Sequence, residues 1–336
     1  MAIERSSADR YRDFAEVEAR GQSAVFEEWA LGIAGDSHVV ELIDGLPLQK
    51  RQPNLVFATA RLLGAPVGGY PAFRTWLVEH WPDVAREVEQ RMTQTNEPRR
   101  CAALLPALAQ IEGPLALLEL GASGGLCLYP DRYSYRYGGH GWLHPAAGPS
   151  PVRIETAMND AVAESTPEWI PTTLPSIVWR AGIDLHPLDV RNDEDVRWLE
   201  TLVWPGQIDR LERIRSAIDV VRKDPPLLVK GDAVEHVSAL AAVAPPDAAL
   251  VVVTSAMLVY LPYVERMRLV EAIRSLDAHW VSLDGIGVLP EVDALYPNPQ
   301  RGRFTLALDG APLADVGPHG QYVEWLNQTG KSLDEA

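Results

Sequence analysis

The densest group of residues able to bind a ligand is a glycine-rich segment near the middle of the chain. An apolar run, LALLEL, leads into a turn that carries Glu119, Gly121, Ser123, Gly124 and Gly125. In an open parallel sheet, ligands bind beyond the carboxyl ends of the strands, where glycines let backbone N–H groups approach the ligand. The segment therefore predicts a strand, a ligand-binding turn and the start of a helix. A tight turn that holds no ligand is the alternative.

The spacing within this turn separates two ligand classes. A dinucleotide fingerprint needs G-x-G-x-x-G, whereas this turn has Ser123 two positions after Gly121 and follows E-x-G-x-S-x-G. That form, with an acid two residues before the first glycine, resembles the first motif of S-adenosylmethionine-dependent methyltransferases. The resemblance implies S-adenosyl-L-methionine as the cofactor, bound by Glu119, Gly121, Ala122, Ser123, Gly124 and Gly125.

Three later strand ends carry side chains that fit the same resemblance. The run ending RAGIDLHP places Asp184, followed by Leu185, where such methyltransferases keep an acid for the two ribose hydroxyls, and a carboxylate can accept both hydrogen bonds. VKGDAVEH places Asp232 and the Ala233 N–H group beside the adenine. VTSAMLVYLP places the last two contacts, Thr254 and Ser255, at the reactive end of the cofactor.

Each of these assignments has a plainer alternative. Asp184 would also serve as a loop acid or cap, Asp232 as a helix N-cap, and the two hydroxyls as ordinary strand-end side chains. Asp184 lies about sixty residues beyond Gly125, instead of the usual spacing of about twenty. Asp131 is therefore the rival ribose acid, although no apolar strand precedes it.

The catalytic residue stays unknown from the sequence, because methyl transfer needs a general base only when the acceptor must lose a proton. The candidates for such a base are His140, His144, His186, His319 and Tyr133. Tyr133, Tyr135 and Tyr137 alternate along a strand-like run, so they share one face and would line an acceptor pocket or pack in the core.

A polar segment precedes the glycine turn and reads TQTNEPRR. If the helical region covers the sheet, the side chains of this segment would contact the cofactor's methionine end or a substrate. The alternative is that they cap a helix and form hydrogen bonds between domains. Asn96 is a plausible helix N-cap, with Pro98 in the first turn. The candidate contacts are Gln94, Asn96, Glu97 and Arg100.

The surrounding patterns predict an α/β fold. Apolar residues at three- and four-residue spacing predict a helical subdomain, a cap, over residues 1–110. Short apolar runs alternating with amphipathic helices predict a Rossmann-like methyltransferase domain with a parallel sheet over 111–330. The Tyr- and Gly-rich start of an insertion at 129–176 reads as a hairpin and loop. Runs at 303–308 and 321–326 predict an antiparallel pair at the sheet edge.

Several motifs together resemble a family of uncharacterised, mostly bacterial proteins, a domain of unknown function assigned to the methyltransferase-like Rossmann folds. The resemblance covers nearly the whole chain. It is carried by QTNE with the following arginines, LLELGASGGL, DRY-Y-YG, RAGIDLHPLDV, WLETLVWPGQ and PHG. Cys127 and His186 stand where Asn is more usual in that family.

The composition of the chain favours some classes of binding partner over others. The net charge of −16 disfavours nucleic acid, which is bound mainly through Lys and Arg. Together with the lack of an Asp/Asn-Pro-Pro-aromatic signature, it favours a small-molecule or protein acceptor. The two cysteines, Cys101 and Cys127, have no metal-ligand spacing, and no apolar run is long enough to cross a bilayer. We therefore expect a cytoplasmic protein with no metal, no nucleic acid and no membrane contact; oligomeric state stays open.

Three hypotheses follow from these features. The first is a methyltransferase, and the second is a catalytically inactive S-adenosylmethionine-binding sensor or partner subunit. The third is an NAD-dependent oxidoreductase, which shares the sheet and the ribose acid but is disfavoured by Ser123.

Overall fold

The chain is a mixed α/β protein, described by a computed structural model over residues 6–158, 166–296 and 302–326. Twelve α-helices are described: α1 (Ser7–Asp13), α2 (Ala24–Ala34), α3 (Ser37–Asp44), α4 (Pro53–Leu62), α5 (Tyr70–Glu79), α6 (Trp81–Gln90), α7 (Arg100–Leu108), α8 (Asp193–Thr201), α9 (Ile208–Lys223), α10 (Ala233–Ala241), α11 (Tyr263–Arg274) and α12 (Pro290–Leu295). Ten strands are described: β1 (Leu115–Leu120), β2 (Ser134–Tyr137), β3 (Arg153–Met158), β4 (Ile177–Asp184), β5 (Leu227–Lys230), β6 (Ala249–Ser255), β7 (His279–Gly285), β8 (Phe304–Leu308), β9 (Ala311–Val316) and β10 (Tyr322–Trp325).

Contacts group the chain into two compact units. The first contains residues 1–95 and 189–215, and the second contains residues 96–188 and 216–336. All ten strands and helix α7 belong to the second unit. The sequence-based domain boundary at residue 110 stays a prediction.

The first unit is helical, as its apolar periodicity predicts. Ser23 and Asp36 cap α2 and α3 by accepting backbone N–H groups of Phe26 and Val39, which satisfies donors that a helix start leaves without partners. The core of this unit is aromatic and centres on Phe57, whose ring lies within about 6 Å of the rings of Tyr11, Phe14, Phe26, Trp29 and Phe73.

The second unit is built on one ten-stranded sheet, ordered β2-β3-β10-β9-β8-β7-β6-β1-β4-β5. Strands β7, β6, β1, β4 and β5 pair in parallel. The sequence LALLEL of β1 is buried at every position, as expected for a parallel strand covered on both faces. From β1 the chain adds β4 and β5 on one side and then β6 and β7 on the other. The strand order therefore reverses between β1 and β6.

The two faces of this parallel block bury different helices. On one face, α10 and α11 contribute Val237, Leu269 and Ile273 to a core shared with Leu118 of β1 and Val252 of β6. On the other, α7 lies against β3, β7 and β8. Since side chains alternate along a strand, Leu117 and Glu119 point away from the face that holds Leu118 and Leu120.

Two predictions about the rest of the sheet were wrong. The insertion does not form a hairpin, because β2 and β3 pair in parallel; the only antiparallel contact there, among the described residues, is a single bridge from Tyr135 to Leu143. The runs at 303–308 and 321–326 do not pair with each other. Strand β9 lies between β8 and β10 and is antiparallel to both, and β10 continues the sheet to β3 in parallel.

Within the described residues, no helix combines the length and the apolar character that crossing a bilayer requires.

Candidate functional site

The sequence-predicted cofactor residues converge on one edge of the sheet. The glycine turn follows β1, Asp184 ends β4, Asp232 follows β5, and Thr254 and Ser255 end β6. These four strands are parallel neighbours, so their carboxyl ends lie side by side. The glycine turn stands where the strand order reverses, which is where open α/β sheets bind ligands.

The glycine turn is a tight loop in which most backbone N–H groups already have acceptors within the protein. Gly121, Ser123 and Gly125 all have left-handed backbone conformations, with φ of 77°, 51° and 72°; Ser123 adopts this region although only glycine does so freely. The N–H groups of Gly121 and Ala122 both donate to Ile183 O, and that of Gly125 donates to Ala122 O. Within the described residues, only the Gly124 N–H of this turn finds no acceptor.

A short 3-10 turn, Leu126–Leu128, follows the glycines. The prediction that an α-helix starts there was wrong. Of the backbone N–H groups predicted to bind a ligand here, only that of Gly124 has no acceptor. The others donate to Ile183 O, to Ala122 O and to the Asp184 carboxylate.

Asp184 ties the glycine turn to the end of β4. Its Oδ2 accepts the Ser123 N–H at 2.8 Å, and its Oδ1 accepts the His186 N–H at 2.8 Å. The Leu188 N–H in turn donates to Ser123 O at 3.1 Å. An ionised carboxylate offers about four lone-pair positions, and Asp184 uses two of them for these backbone bonds.

Asn96 braces the same turn from the other side. Its Oδ1 accepts the Leu126 N–H at 2.8 Å, and its Nδ2 donates to Ala122 O at 3.3 Å. The prediction that Asn96 caps a helix was wrong, since α7 begins at Arg100 with Arg99 in the cap position. Asn96 instead bridges the turn because its amide offers both a donor and an acceptor.

Buried polar groups without partners collect beside this turn. Glu119 Oε2, Ser123 Oγ and Ser255 Oγ have no hydrogen-bond partner among the described residues. Each belongs to a residue less than a tenth exposed. Burial raises the pKa of Glu119 well above its usual range, while the nearby Arg100 opposes this rise. Buried polar groups in folded proteins are nearly always satisfied, so this cluster indicates a place for a bound polar group.

Arg100 links the start of α7 to two further loops. Its Nη1 donates to Ser255 O at 3.3 Å and its Nε donates to Pro318 O at 3.1 Å. The PHG turn packs here so closely that a Cβ on Gly320 would lie 2.3 Å from Arg99 O. Glu97 accepts the Arg99 N–H, and its carbonyl accepts the Cys127 thiol.

The segment after β6 crosses toward the glycine turn. Ala256 has a left-handed φ of 55°, which turns the chain so that Met257 rests on Gly121. A Cβ on Gly121 would lie 2.8 Å from Met257 Cβ. The Thr254 hydroxyl accepts the Trp280 indole N–H at 3.1 Å and donates to Asp284 Oδ2 at 3.5 Å. Met257 therefore occupies part of the space at the strand-order reversal.

The residues at the tips of β4 and β5 are more exposed than those of the glycine turn. Asp232 caps α10 by accepting the Val234 N–H at 2.7 Å, so its plainer reading as an N-cap is confirmed, and its side chain is half-buried. Ala233 is buried in the first turn of α10, and Leu185 is half-exposed. Asp131, the rival ribose acid, accepts Arg180 Nη2 at 2.7 Å, so it forms an ion pair with an arginine inside β4, before the tip of that strand.

The three alternating tyrosines lie in the core. Tyr133, Tyr135 and Tyr137 are fully buried, and their hydroxyls donate to the carbonyls of Leu126, Pro130 and Ala102. Burial raises the pKa of each well above its usual value. These contacts favour the packing interpretation over an acceptor pocket, because each hydroxyl already has a backbone partner.

The candidate histidines are dispersed. His140 and His144 lie beside β2 and contact Thr166 and Ser134, at the opposite end of the strand order from β1. His186 is exposed next to Asp184. The backbone of His319 accepts Arg99 Nε at 3.2 Å, which brings its turn to the start of α7. Gln94 belongs to the first unit.

One family model matches residues 8–325, and its description is "Uncharacterized protein conserved in bacteria (DUF2332)". The chain belongs to this family. No curated protein and no solved structure matches the chain. Membership in DUF2332 therefore places the whole described fold within one bacterial family without assigning it a reaction.

One cleft of this DUF2332 chain lies away from the strand tips. Its volume is about 570 Å³, and it is lined by residues of the loop before β1, by Pro106, by the 168–175 loop and by Trp325. Because Gly113 lies two residues before β1, this cleft lies at the amino end of the strand; its lining contains none of the predicted cofactor residues. No cluster of three metal-ligating side chains occurs in residues 6–158, 166–296 and 302–326.

Two residues of the DUF2332 site were missed from the sequence. Asp284 ends β7 on the same edge and is 4% exposed; the signal was present, since an acid follows an apolar strand there as it does in β4. Met257 gave no signal, because a methionine after a strand is ordinary core sequence.

Proposed function

We propose that the chain is an S-adenosylmethionine-dependent methyltransferase acting on a small-molecule or protein acceptor. The observation that carries the proposal is the position of the glycine turn at the strand-order reversal, beside acids on the neighbouring tips of β4 and β5. The order β5-β4-β1-β6-β7 is that of a Rossmann-like sheet, which fits the family resemblance of the glycine motif.

The hydrogen bonds already made by the backbone N–H groups of the turn distinguish this proposal from a nicotinamide-dependent enzyme. Binding a pyrophosphate needs several free N–H groups and a helix N-terminus. Here the N–H groups of Gly121, Ala122, Ser123 and Gly125 are used within the protein, and a 3-10 turn replaces the helix. S-adenosylmethionine carries no phosphate, so this turn suits it and disfavours NAD.

The buried groups around Arg100 fit the amino-acid end of such a cofactor. Glu119 would hold an ammonium group, and the hydroxyls of Ser123 and Ser255 would hold a carboxylate. On the other side, Asp184 would receive the ribose hydroxyls, and Asp232 with the Ala233 N–H would face the adenine. When bound, the cofactor supplies an already activated methyl group.

The protein then mainly aligns donor and acceptor and keeps water away. The candidate bases His140 and His144 lie beside β2, away from β1 and β6 in the strand order, which favours an acceptor that needs no strong base. The same fact leaves a binding protein without catalysis as the second candidate.

Calorimetry with S-adenosylmethionine, its demethylated product and NAD tests the proposal. We expect both sulfur compounds to bind and NAD to fail; binding of NAD alone would overturn the assignment. Transfer of labelled methyl groups to components of a bacterial extract would then distinguish the enzyme from the sensor. Asp219→Ala, in an exposed acid of α9, is the matched control for variants of Asp184.

A further inference from the structure

Two tryptophans line the cleft of about 570 Å³ at the amino end of β1. The rings of Trp169 and Trp325 stack with their centroids 5.2 Å apart and an angle of 4° between their planes. The Trp169 ring also meets the ring of the buried Tyr137 at 86°, with centroids 5.5 Å apart, which fixes its orientation. Both tryptophans are half-buried, so the cleft has an aromatic wall that is held in place and partly exposed.

The charged side chains at the cleft are acidic. Glu168 lines it and is exposed, in a turn closed by the hydrogen bond from the Ile170 N–H to Pro167 O at 3.1 Å. Among the described residues that line the cleft, none is Lys, Arg or His. Glu112, which lies between two lining residues in the loop before β1, is exposed as well. These charges favour a cationic ligand over an anionic one.

The C-terminal end of α7 adds to this negative character. Its last turn and the residues after it line the cleft through Pro106, Ala109, Gln110 and Ile111. A helix carries a partial negative charge at its C-terminus, and the last turn of α7 contains no basic side chain. The Gln110 amide donates to Pro106 O at 3.2 Å, a neutral contact that satisfies this carbonyl but brings no positive charge to the helix end.

We infer that this cleft is a second binding site, which takes a small organic cation of the quaternary or tertiary ammonium class. The faces of aromatic rings attract such cations, and those of tryptophan attract them most strongly. The alkyl groups of the cation would bury apolar surface against Leu174 and Pro175, which line the same cleft. A hard metal ion fits less well, because it needs several oxygen ligands and Glu168 is the one carboxylate among the described lining residues.

This site is separate from the proposed methyltransferase site, because its lining contains none of the residues expected to bind S-adenosylmethionine. The two sites therefore stand or fall independently. Loss of S-adenosylmethionine binding leaves the ammonium site intact, and the reverse also holds.

Titration of the full chain with choline and with its neutral carbon analogue, dimethylbutanol, tests the inference. The analogue has a carbon atom in place of the charged nitrogen, so the comparison isolates the effect of charge. We expect choline to bind about fivefold more tightly or better. In protein labelled with fluorotryptophan, choline should shift the fluorine NMR resonances of Trp169 and Trp325. Trp169→Phe and Trp325→Phe assign these two resonances among the 10 tryptophans of the chain.

Variants of the lining separate the acid from the aromatic wall. Glu168→Gln should weaken choline binding by about two- to fivefold and leave dimethylbutanol binding unchanged, since only a charge is lost. Glu112→Gln is the matched control, an exposed acid of the neighbouring loop outside the lining, and it should have the smaller effect. Trp325→Leu should weaken choline binding by about tenfold, and Trp325→Phe, which keeps an aromatic ring, should weaken it less.

The outcomes decide the inference without ambiguity. Preference for choline together with shifts at the two tryptophans supports it. Equal affinity for choline and dimethylbutanol would show an apolar cleft without charge selection and would overturn it. Absence of choline binding, or shifts confined to other tryptophans, overturns it too. Thermal unfolding of each free variant shows whether it is folded; if Trp325→Leu is not, Glu168→Gln and the pair of ligands decide.

Discussion

The Ser123 N–H group donates to the Asp184 carboxylate at 2.8 Å, so a hydrogen bond connects the glycine turn after β1 to the acid that ends β4. The same carboxylate accepts the His186 N–H. A single side chain thus joins the two loops at the strand-order reversal. Ser123, which donates to this side chain, has a left-handed φ of 51°. The geometry ties the shape of the turn to the charge of Asp184.

Replacing Asp184 should weaken the binding of S-adenosylmethionine. Asp184→Ala removes the carboxylate together with its bonds to the Ser123 and His186 N–H groups, and hydrogen bonds to charged groups contribute roughly 1.5–3 kcal/mol each. We expect the affinity to fall by about tenfold or more in calorimetry. Asp184→Asn can still accept one of the two backbone N–H groups through its amide oxygen, so it should retain more stability than Asp184→Ala while losing affinity. An Asp184→Ala protein that binds as tightly as the parent would remove this residue from the site.

Replacing Asn96 should loosen the glycine turn without touching a ligand. Asn96→Ala leaves the buried Leu126 N–H without its acceptor, whereas Ala122 O keeps its bond from the Gly125 N–H. We expect a cost of roughly 1–3 kcal/mol in the free energy of unfolding. Urea denaturation measures this loss. Asn192→Ala is the matched control, because Asn192 caps α8 at an exposed position and should cost only about 1 kcal/mol. Equal losses for the two variants would contradict the bracing role of Asn96.

The parallel block was predictable from the sequence because its strands are short apolar runs with acids or hydroxyls at their ends. Buried parallel strands need such runs, and the apolar run LALLEL coincides with β1. The position of Asp184 at a strand tip follows from the same pattern. The S-adenosylmethionine assignment itself stays a prediction.

Other features could not be predicted because their cause lies in distant residues. The role of Asn96 depends on Leu126 and Ala122, which the sequence N-E-P does not reveal, and the same segment reads equally well as a helix cap. Strand β9, APLADV, contains Pro and Asp and lacks strand-like alternation. The sequence leaves open whether the tyrosines of the insertion line an acceptor pocket or pack in the core, because it does not show the backbone carbonyls that accept their hydroxyls.

Adding a methyl group at Gly182 should disrupt the contact between β4 and the glycine turn. A Cβ at this position would lie 2.3 Å from Ala122 Cβ, 3.0 Å from Leu228 Cδ2 and 3.3 Å from Glu119 O. Overpacking of this kind costs about 3 kcal/mol or more, and we expect Gly182→Ala to show that loss in thermal or urea unfolding. The double variant Gly182→Ala with Ala122→Gly removes the worst contact and should recover part of the stability. A double variant no more stable than Gly182→Ala would locate the strain elsewhere.

Asp284 should make the stability of the free protein fall as the pH rises. Burial raises its pKa from 3.8 to about 7 in the folded state, so the folded protein binds this proton more tightly than the unfolded chain does. The stabilisation is complete below the unfolded pKa and is lost as the pH rises through about 7, by on the order of 4 kcal/mol for a shift of this size. Asp284→Asn keeps a neutral side chain throughout, so the free energy of unfolding of the variant minus that of the parent should increase between about pH 4 and pH 8. Urea titrations of both proteins across that range measure the difference, in which the contribution of Glu119 cancels. A difference that stays constant with pH would mean that Asp284 is ionised in the fold.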